Sequence, residues 1–141
     1  MPVYECITTV GTLSSEQRTT IVDAITTAHV EETGAPLELV HVIFPELSAH
    51  HAFSGGELSA SAIIRGSIRA GRSDQVRHAL MQRISNSYLE ITGADPMGLL
   101  VMLAEIPPTS GMEGGFILPE ITPGAEEAWL AKATKARHAA R

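Results

Sequence analysis

Two stretches of the chain repeat each other and determine the expected fold: residues 12–36, TLSSEQRTTIVDAITTAHVEETGAP, and residues 70–96, AGRSDQVRHALMQRISNSYLEITGADP. The tripeptide TGA occurs at 33–35 and again at 92–94, an offset of 59 residues. A mostly apolar run follows each stretch. Two copies are too few for a solenoid, in which many repeats stack on their neighbours. The repeat therefore indicates one supersecondary unit that has been duplicated.

Each copy is predicted to fold as strand, helix, strand. Ser14 and Gln17 have the spacing of a capping box, in which two side chains satisfy free N–H groups at a helix start. Ile21, Ile25 and His29 then recur at helical spacing. Gly34 ends that helix. The other expected elements are strands at 3–9, 39–44, 62–68 and 99–105, and helices at about 73–92 and 126–140.

The whole chain is predicted to be a single α/β (α+β) domain, residues 1–141, with a duplicated β-α-β fold. The pseudo-repeats span about 2–47 and 61–107, and a C-terminal segment, 108–141, carries the last helix. Strands joined by a helix pair in parallel, so two units side by side give a four-stranded sheet with two helices on one face. We expect a flexible loop at 111–115. The other face of the sheet has no helix to cover it, and this uncovered face predicts oligomerisation.

Composition excludes several classes of partner. The 141 residues carry a net charge of −6 and no basic tract, which argues against nucleic acid. No apolar run approaches the roughly 18 residues of a membrane span, which argues against a membrane. The start, MPVYECITTV, lacks a signal-peptide pattern, and the single Cys6 cannot form an internal disulfide. We therefore expect a cytoplasmic protein.

Pro2 is the first candidate for chemistry. Removal of Met1 would leave a prolyl secondary amine at the start of a buried strand. A free α-amino group has a pKa of about 7.7–8.0, and burial or nearby cations lower it into the range useful for proton transfer at neutral pH. The alternative is that proline at position two has no function.

Arg69 and Arg72 are candidate ligands for a carboxylate. They flank Ala70-Gly71 between a predicted strand and a predicted helix start. Guanidinium groups beside a helix N-terminus bind carboxylates well, and their charge would lower the pKa of a nearby amine. The alternative is that both are solvated, one of them pairing with Asp74.

His29 and Glu113 are weaker candidates. A histidine on an apolar helix face is more often a hydrogen-bonded core residue than a catalyst. Glu113, in the Gly-rich SGMEGG segment, is either a solvated carboxylate or a mobile general base for water. His50 and His51 lack a third ligand at a recognisable spacing, so no metal is expected.

The ordered set of these motifs resembles the cis-3-chloroacrylic acid dehalogenase family of the tautomerase superfamily. The resemblance covers about residues 2–123 and includes Pro-Val-Tyr at the start, Arg-Ala-Gly-Arg-Ser at 69–73 and Leu-Pro at 118–119. It implies a homotrimer with three active sites and no cofactor.

The resemblance also implies residue roles. Pro2 matches the catalytic proline, and Glu113 matches the glutamate that activates water. His29, Arg69 and Arg72 match the residues that bind the substrate carboxylate and polarise the substrate. Met102 stands where the dehalogenase has an active-site tyrosine. Methionine cannot supply a proton or hold water by strong hydrogen bonds, which weakens the case for hydration chemistry.

Three functions remain open at this point. The first is keto–enol tautomerisation of a small 2-oxo or 2-hydroxy-enoic acid such as phenylenolpyruvate. The second is hydrolytic dehalogenation or hydration of 3-haloacrylates or acetylenic acids. The third is a non-catalytic ligand-binding or interaction module.

Overall fold

The computed structural model describes residues 1–140. In chain order the elements are β1 (Val3–Thr9), α1 (Ser15–Thr33), β2 (His41–Ile43), β3 (Glu46–Leu47), β4 (Phe53–Ser54), β5 (Glu57–Leu58), β6 (Ala62–Arg69), α2 (Asp74–Thr92), β7 (Leu99–Ile106), β8 (Met112–Glu113), β9 (Phe116–Ile117) and α3 (Ala125–Ala139). Short 3₁₀ turns lie at Leu37–Leu39, Pro96–Gly98 and Pro108–Ser110.

The main sheet has the strand order β2-β1-β6-β7, with β3 pairing to the far end of β1. β1 pairs in parallel with β2, and β6 pairs in parallel with β7. The two units meet through the antiparallel pair β1–β6. This arrangement confirms the expected mixed α+β fold built from two β-α-β units.

Both long helices begin and end as their sequences predict. Ser14 and Gln17 form the reciprocal capping box of α1, and Gly34 ends the helix in the left-handed conformation. Ser73 caps α2 by accepting a hydrogen bond from the Val76 N–H, and Gly93 ends it in the same way. The two helices therefore match in length, 19 residues each, and in how they begin and end.

The core lies between the helices and one face of the sheet. Side chains alternate along each strand, so Tyr4 and Cys6 of β1 point toward the helices together with Ile64 and Ile68 of β6. The helices contribute Ile21, Ile25, Leu80, Ile84 and Tyr88. The opposite face leaves several large apolar side chains open to solvent in the single chain: Ile43, Ile63, Leu100 and Met102.

Two sequence expectations were wrong in detail. The strand expected at 39–44 is shorter, because Leu37–Leu39 form a 3₁₀ turn whose carbonyl at Leu37 accepts the Val40 N–H. The segment at 111–115, expected to be a flexible loop, is part of the hairpin β8–β9. Its turn, Gly114-Gly115, has positive φ at both positions, which a type I′ hairpin turn requires and glycine adopts without strain.

No helix in the described residues is both long and apolar enough to cross a membrane.

Gly66 gives the first testable prediction. It lies on β6 opposite Tyr4, and a Cβ built there would sit 2.5 Å from Tyr4 Cε1 and 2.8 Å from Leu103 Cδ2. We expect Gly66→Ala to lower the free energy of unfolding by about 1–3 kcal/mol, because overpacking a closed core forces side chains from their rotamers. Urea denaturation at fixed protein concentration measures this. Gly98→Ala is the control, since its Cβ would meet nothing within 4 Å; equal midpoints for the two variants would contradict the prediction.

Candidate active site

The two arginines converge on one carboxylate. Arg69 ends β6 and is only 3% exposed, and its Nη1 donates to the Pro119 carbonyl at 3.0 Å. Arg72 Nη1 donates to the Thr33 carbonyl at the end of α1, at 2.6 Å. The Nη2 atom of Arg69 forms an ion pair with Glu126 Oε1 on α3, and Arg72 Nη2 lies 3.8 Å from the same oxygen. The pair therefore binds a carboxylate, which belongs to the chain itself.

The structure does not agree with the alternative in which Arg69 and Arg72 are both solvated. Asp74 pairs with Arg77, not with Arg72. Burial lowers the pKa of both Arg69 and Arg72, and their mutual repulsion lowers that of Arg69 further. Two buried cations this close need an anion between them. Glu126 supplies it.

His29 is neutral and is hydrogen-bonded to Tyr4. The Tyr4 hydroxyl lies 2.8 Å from His29 Nδ1, and both side chains are buried. Burial, and then the charges of Arg72, the amino terminus and Arg69, lower the pKa of His29 to about 3. Burial raises the pKa of Tyr4, so its hydroxyl keeps its proton. In the tautomer in which this hydroxyl donates to Nδ1, the proton of His29 is on Nε2, which is then a neutral donor.

The amino terminus lies beside Glu113. The Met1 amine is 2.5 Å from Glu113 Oε2, and the other carboxylate oxygen of Glu113 bonds to His41 Nε2. Burial lowers the pKa of the terminal amine, opposed by Glu113 and assisted by the charge of Arg69. Burial raises the pKa of Glu113, but hydrogen bonds from the amine and His41 outweigh it, so the net shift is downward. Glu113 is therefore an ionised carboxylate.

Pro2 is buried at the first position before β1, and its carbonyl accepts the His41 N–H at 3.0 Å. With Met1 attached, its nitrogen is an amide and cannot act as a base. The Pro2 nitrogen is one residue along the chain from the Met1 amine, a separation of at most about 3.6 Å. Loss of Met1 would thus leave an amine in nearly the same electrostatic surroundings, beside Glu113 and Arg69.

Of the site residues predicted from the sequence, Met102 is the one that lies away from this cluster within a single chain. It lies on β7 opposite Arg65, on the sheet face away from the helices, and is 46% exposed. Tyr4 and His29 lie on the helix-covered side. Period-two alternation along the strand separates Met102 from them, so it can only meet such a site from another copy of the chain.

Three residues of the cluster were not among the candidates from sequence: Tyr4, His41 and Glu126. From the sequence, Tyr4 is predicted to be an ordinary core residue of a strand. His41 lies in an apolar run and Glu126 in a C-terminal helix 57 residues from Arg69, so their neighbours depend on the tertiary fold. Among residues 1–140, no three His, Cys, Asp or Glu side chains gather in a way that could hold a metal ion.

A family model described as "putative oxalocrotonate tautomerase enzyme" matches residues 1–134. The chain belongs to the tautomerase superfamily. Members of this superfamily are generally enzymes, and this chain is close to the cis-3-chloroacrylic acid dehalogenase family. None of the curated proteins matches the chain significantly.

Three solved structures illustrate the relationship. Native Ps01740 is 46% identical with a TM-score of 0.78, and the match covers 79% of this chain and 99% of that chain. N1, a member of the cis-3-chloroacrylic acid dehalogenase family, is 29% identical with a TM-score of 0.86, covering 96% and 99%. A wild-type fused 4-OT solved as a symmetric trimer is 26% identical with a TM-score of 0.74, covering 82% and 94%.

The state of His29 is directly testable. We expect His29 to stay neutral, with its proton on Nε2, from pH 5 to 8, because its pKa is about 3 in the folded protein. Two-bond ¹⁵N–¹H correlation spectra of ¹⁵N-histidine-labelled protein report both protonation and tautomer. Tyr4→Phe is the matched control, since it removes the hydrogen-bond partner of Nδ1 and should let the other tautomer appear. Protonation of His29 with a midpoint between pH 6 and 7 would contradict this assignment.

The same shift affects stability. An unfolded histidine titrates at about pH 6.5, so between pH 6.5 and 3 the unfolded chain binds a proton that the folded chain does not. With respect to His29, the free energy of unfolding is therefore highest above pH 6.5 and decreases as the pH falls toward 3.

Proposed function

We propose that the chain, after loss of Met1, catalyses keto–enol tautomerisation of a small 2-oxo acid, with the Pro2 amine as the proton carrier. The observation that carries this proposal is the proximity of the amino terminus to an arginine pair that already binds a carboxylate. The charges of the terminal amine and Arg69 each act on the other groups of the cluster, including His29. Phenylenolpyruvate is a suitable test substrate.

The position of the Glu126 carboxylate indicates where a substrate carboxylate would bind. Its carboxylate lies where a substrate carboxylate would be held by Arg69 and Arg72. A substrate would displace Glu126 and take over these charge-assisted hydrogen bonds, which are stronger than neutral ones. The 2-oxygen, one carbon away, would then accept a hydrogen bond from His29 Nε2. A neutral donor suits this role because it stabilises an enolate without releasing its proton.

Proton transfer is assigned to Pro2. In the direction of ketonisation, the enol O–H bond breaks and the Pro2 nitrogen accepts the proton. The same nitrogen then donates a proton to carbon three, where the new C–H bond forms, and the 2-oxygen becomes a carbonyl. The burial that lowers the pKa of the terminal amine would favour the unprotonated form of the Pro2 amine, which is the form that a base requires.

The role of Pro2 is tested with two proteins. A chain in which Met1 is retained, verified by intact-mass spectrometry, should lose about 10²–10⁴-fold in kcat/KM for phenylenolpyruvate, because an amide nitrogen is no base. Pro2→Ala, with Met1 removed, keeps an amine but loses the ring that holds it in place, and should lose about tenfold or more. Wild-type rates in either protein would exclude Pro2 as the base. Native protein found with Met1 intact would instead favour the non-catalytic binding module.

The role of Glu126 as a competitor gives a further prediction. Glu126→Gln should lower KM for phenylenolpyruvate by about tenfold, since the substrate no longer displaces a charged group held by hydrogen bonds worth about 1.5–3 kcal/mol. We expect kcat to change little. Glu127→Gln is the matched control, because it removes the same charge from an exposed neighbour on α3. A KM that rises, or that falls equally in both variants, would refute direct competition.

Hydration or dehalogenation is the second candidate, and it is favoured by Glu113. This ionised carboxylate lies next to the amino terminus and could orient a water molecule. The relationship to N1, of the cis-3-chloroacrylic acid dehalogenase family, supports testing it. Because Met102 replaces the family's tyrosine, we expect little or no halide release from cis-3-chloroacrylate. Release as fast as phenylenolpyruvate turnover would reverse the order of the two candidates.

A homotrimer is proposed for the assembly. The apolar side chains on the bare sheet face need cover, and a fused 4-OT with the same fold forms a symmetric trimer. Trimerisation would also be the means by which Met102 approaches the site of a neighbouring subunit. Sedimentation equilibrium would give the mass of three chains. A cytoplasmic location stays a prediction from the sequence.

A further inference from the structure

Two donors hold the Glu113 carboxylate, one at each oxygen. Its Oε2 lies 2.5 Å from the amino terminus, and its Oε1 is bonded to His41 Nε2. An ionised carboxylate can only accept hydrogen bonds, so His41 Nε2 carries a proton and donates to Oε1. His41 therefore fixes one oxygen of a carboxylate whose other oxygen faces the terminal amine.

The backbone of His41 is bonded to Pro2 itself. His41 begins β2, and its N–H donates to the Pro2 carbonyl at 3.0 Å. Its register partner on β1 is Val3, so the two side chains lie on the same face of the sheet, away from the helices. Because these contacts are made to Pro2 and Val3, they do not depend on Met1 and would persist after its removal.

Glu113 approaches this point from a separate element. It lies on β8, 72 residues along the chain from His41, in a hairpin that turns at Gly114-Gly115. A cavity of about 260 Å³ lies beside the amino terminus, and His41 and Glu113 are the two side chains in its lining that can carry a charge. The pair thus faces the space next to the terminal amine.

The duplicated unit supplies an independent comparison. The offset of 59 residues matches His41 with Leu100 in the second unit, as it matches Glu46 with Glu105. Leu100 lies on the same face of the sheet and is 52% exposed, so this position of the strand accepts leucine. Of the two matched positions, the histidine is the one next to the strand that carries the amino terminus. The strand itself therefore does not require a histidine here.

We propose that His41 is a positioning residue, which holds the Glu113 carboxylate beside the Pro2 amine in mature protein. This inference rests on the proposed function in one respect, the loss of Met1. It also gives Glu113 a part in tautomerisation. When the Pro2 nitrogen accepts the enol proton it becomes positively charged, and the adjacent carboxylate stabilises that charge. His41 acts on the amine through Glu113.

The groups around the amine determine the direction of the effect. Burial is the largest influence on the pKa of the terminal amine and lowers it; Arg69, at the end of β6, lowers it further, whereas Glu113 raises it. His29 on α1 is neutral, and Glu126 on α3 is paired with Arg69. Release of Glu113 would therefore lower the pKa of the amine. Loss of a positive charge on His41 acting directly would raise it.

The test measures the pKa of the Pro2 amine in mature protein labelled with ¹⁵N-proline, after intact-mass spectrometry has verified the loss of Met1. His41→Leu, which introduces the residue of the second unit, should lower this pKa by about 1 pH unit or more, as expected when an adjacent opposite charge is lost. His41→Gln keeps an N–H donor and should stay close to the wild-type value. His78→Leu is the matched control, because it removes an exposed histidine from α2.

Glu113→Gln shows whether the effect passes through the carboxylate. This change removes the charge of Glu113 and should itself lower the pKa of Pro2. Adding His41→Leu should then cause no further fall, because the group through which His41 acts is gone. Equal falls with and without the Glu113 charge would overturn the proposal. So would an unchanged or raised pKa in His41→Leu, or a value in His41→Gln as low as in His41→Leu.

Failure of the positioning role and failure of the proposed function are distinguishable, because the titration needs no turnover. An unchanged pKa in His41→Leu, in an enzyme active on phenylenolpyruvate, would overturn the positioning role alone. A lowered pKa in a protein with no tautomerase activity would support the positioning role and reject the proposed function. In an active enzyme, the acidic limb of kcat/KM should move to lower pH together with the pKa of Pro2.

Discussion

Two buried guanidinium groups at the end of β6 impose the constraint on which the rest of the site depends. Arg69 and Arg72 each donate a hydrogen bond to a backbone carbonyl, at Pro119 and Thr33 respectively, which orients the two guanidinium groups. Their charges repel and are poorly solvated, and the fold must place an anion between them. In the isolated chain that anion is Glu126. For the same reason the site can bind a carboxylate substrate, because the substrate's negative charge would neutralise the two arginines in place of Glu126.

The arginine charges also set the state of their neighbours. They add to burial in keeping His29 neutral, and the Tyr4 hydroxyl is the hydrogen-bond partner of its Nδ1. Arg69 helps to lower the pKa of the amino terminus. Burial is the larger cause of both pKa shifts, and the arginine charges add to it. α3 completes the arrangement, because Glu126 balances the arginines.

Much of the fold could be predicted from sequence because its signals are local. The capping box at Ser14, the glycine at 34 and the residue types of β1 are each local signals, and the repeat extends the same strand-helix-strand prediction to the second unit. Pro2, Arg69 and Arg72 could be named as candidates from their places at element ends, and His29 from its place on an apolar helix face. The contacts of Glu126 and His41 could not be predicted, because they depend on how a C-terminal helix and a short hairpin fold back over the amino terminus. Met102 was assigned to the site by resemblance, and the alternation of β7 places it on the other side of the sheet in the same chain.

The central claim is that Pro2, freed of Met1, is a base at neutral pH, and its ionisation can be measured directly. Mature protein labelled with ¹⁵N-proline would be titrated while the Pro2 nitrogen signal is followed. The account predicts a secondary amine whose pKa lies below the usual range of about 7.7–8.0 for α-amino groups, because the site is buried and Arg69 is near. An amide signal at position 2, or an amine that titrates at or above that range, would contradict it.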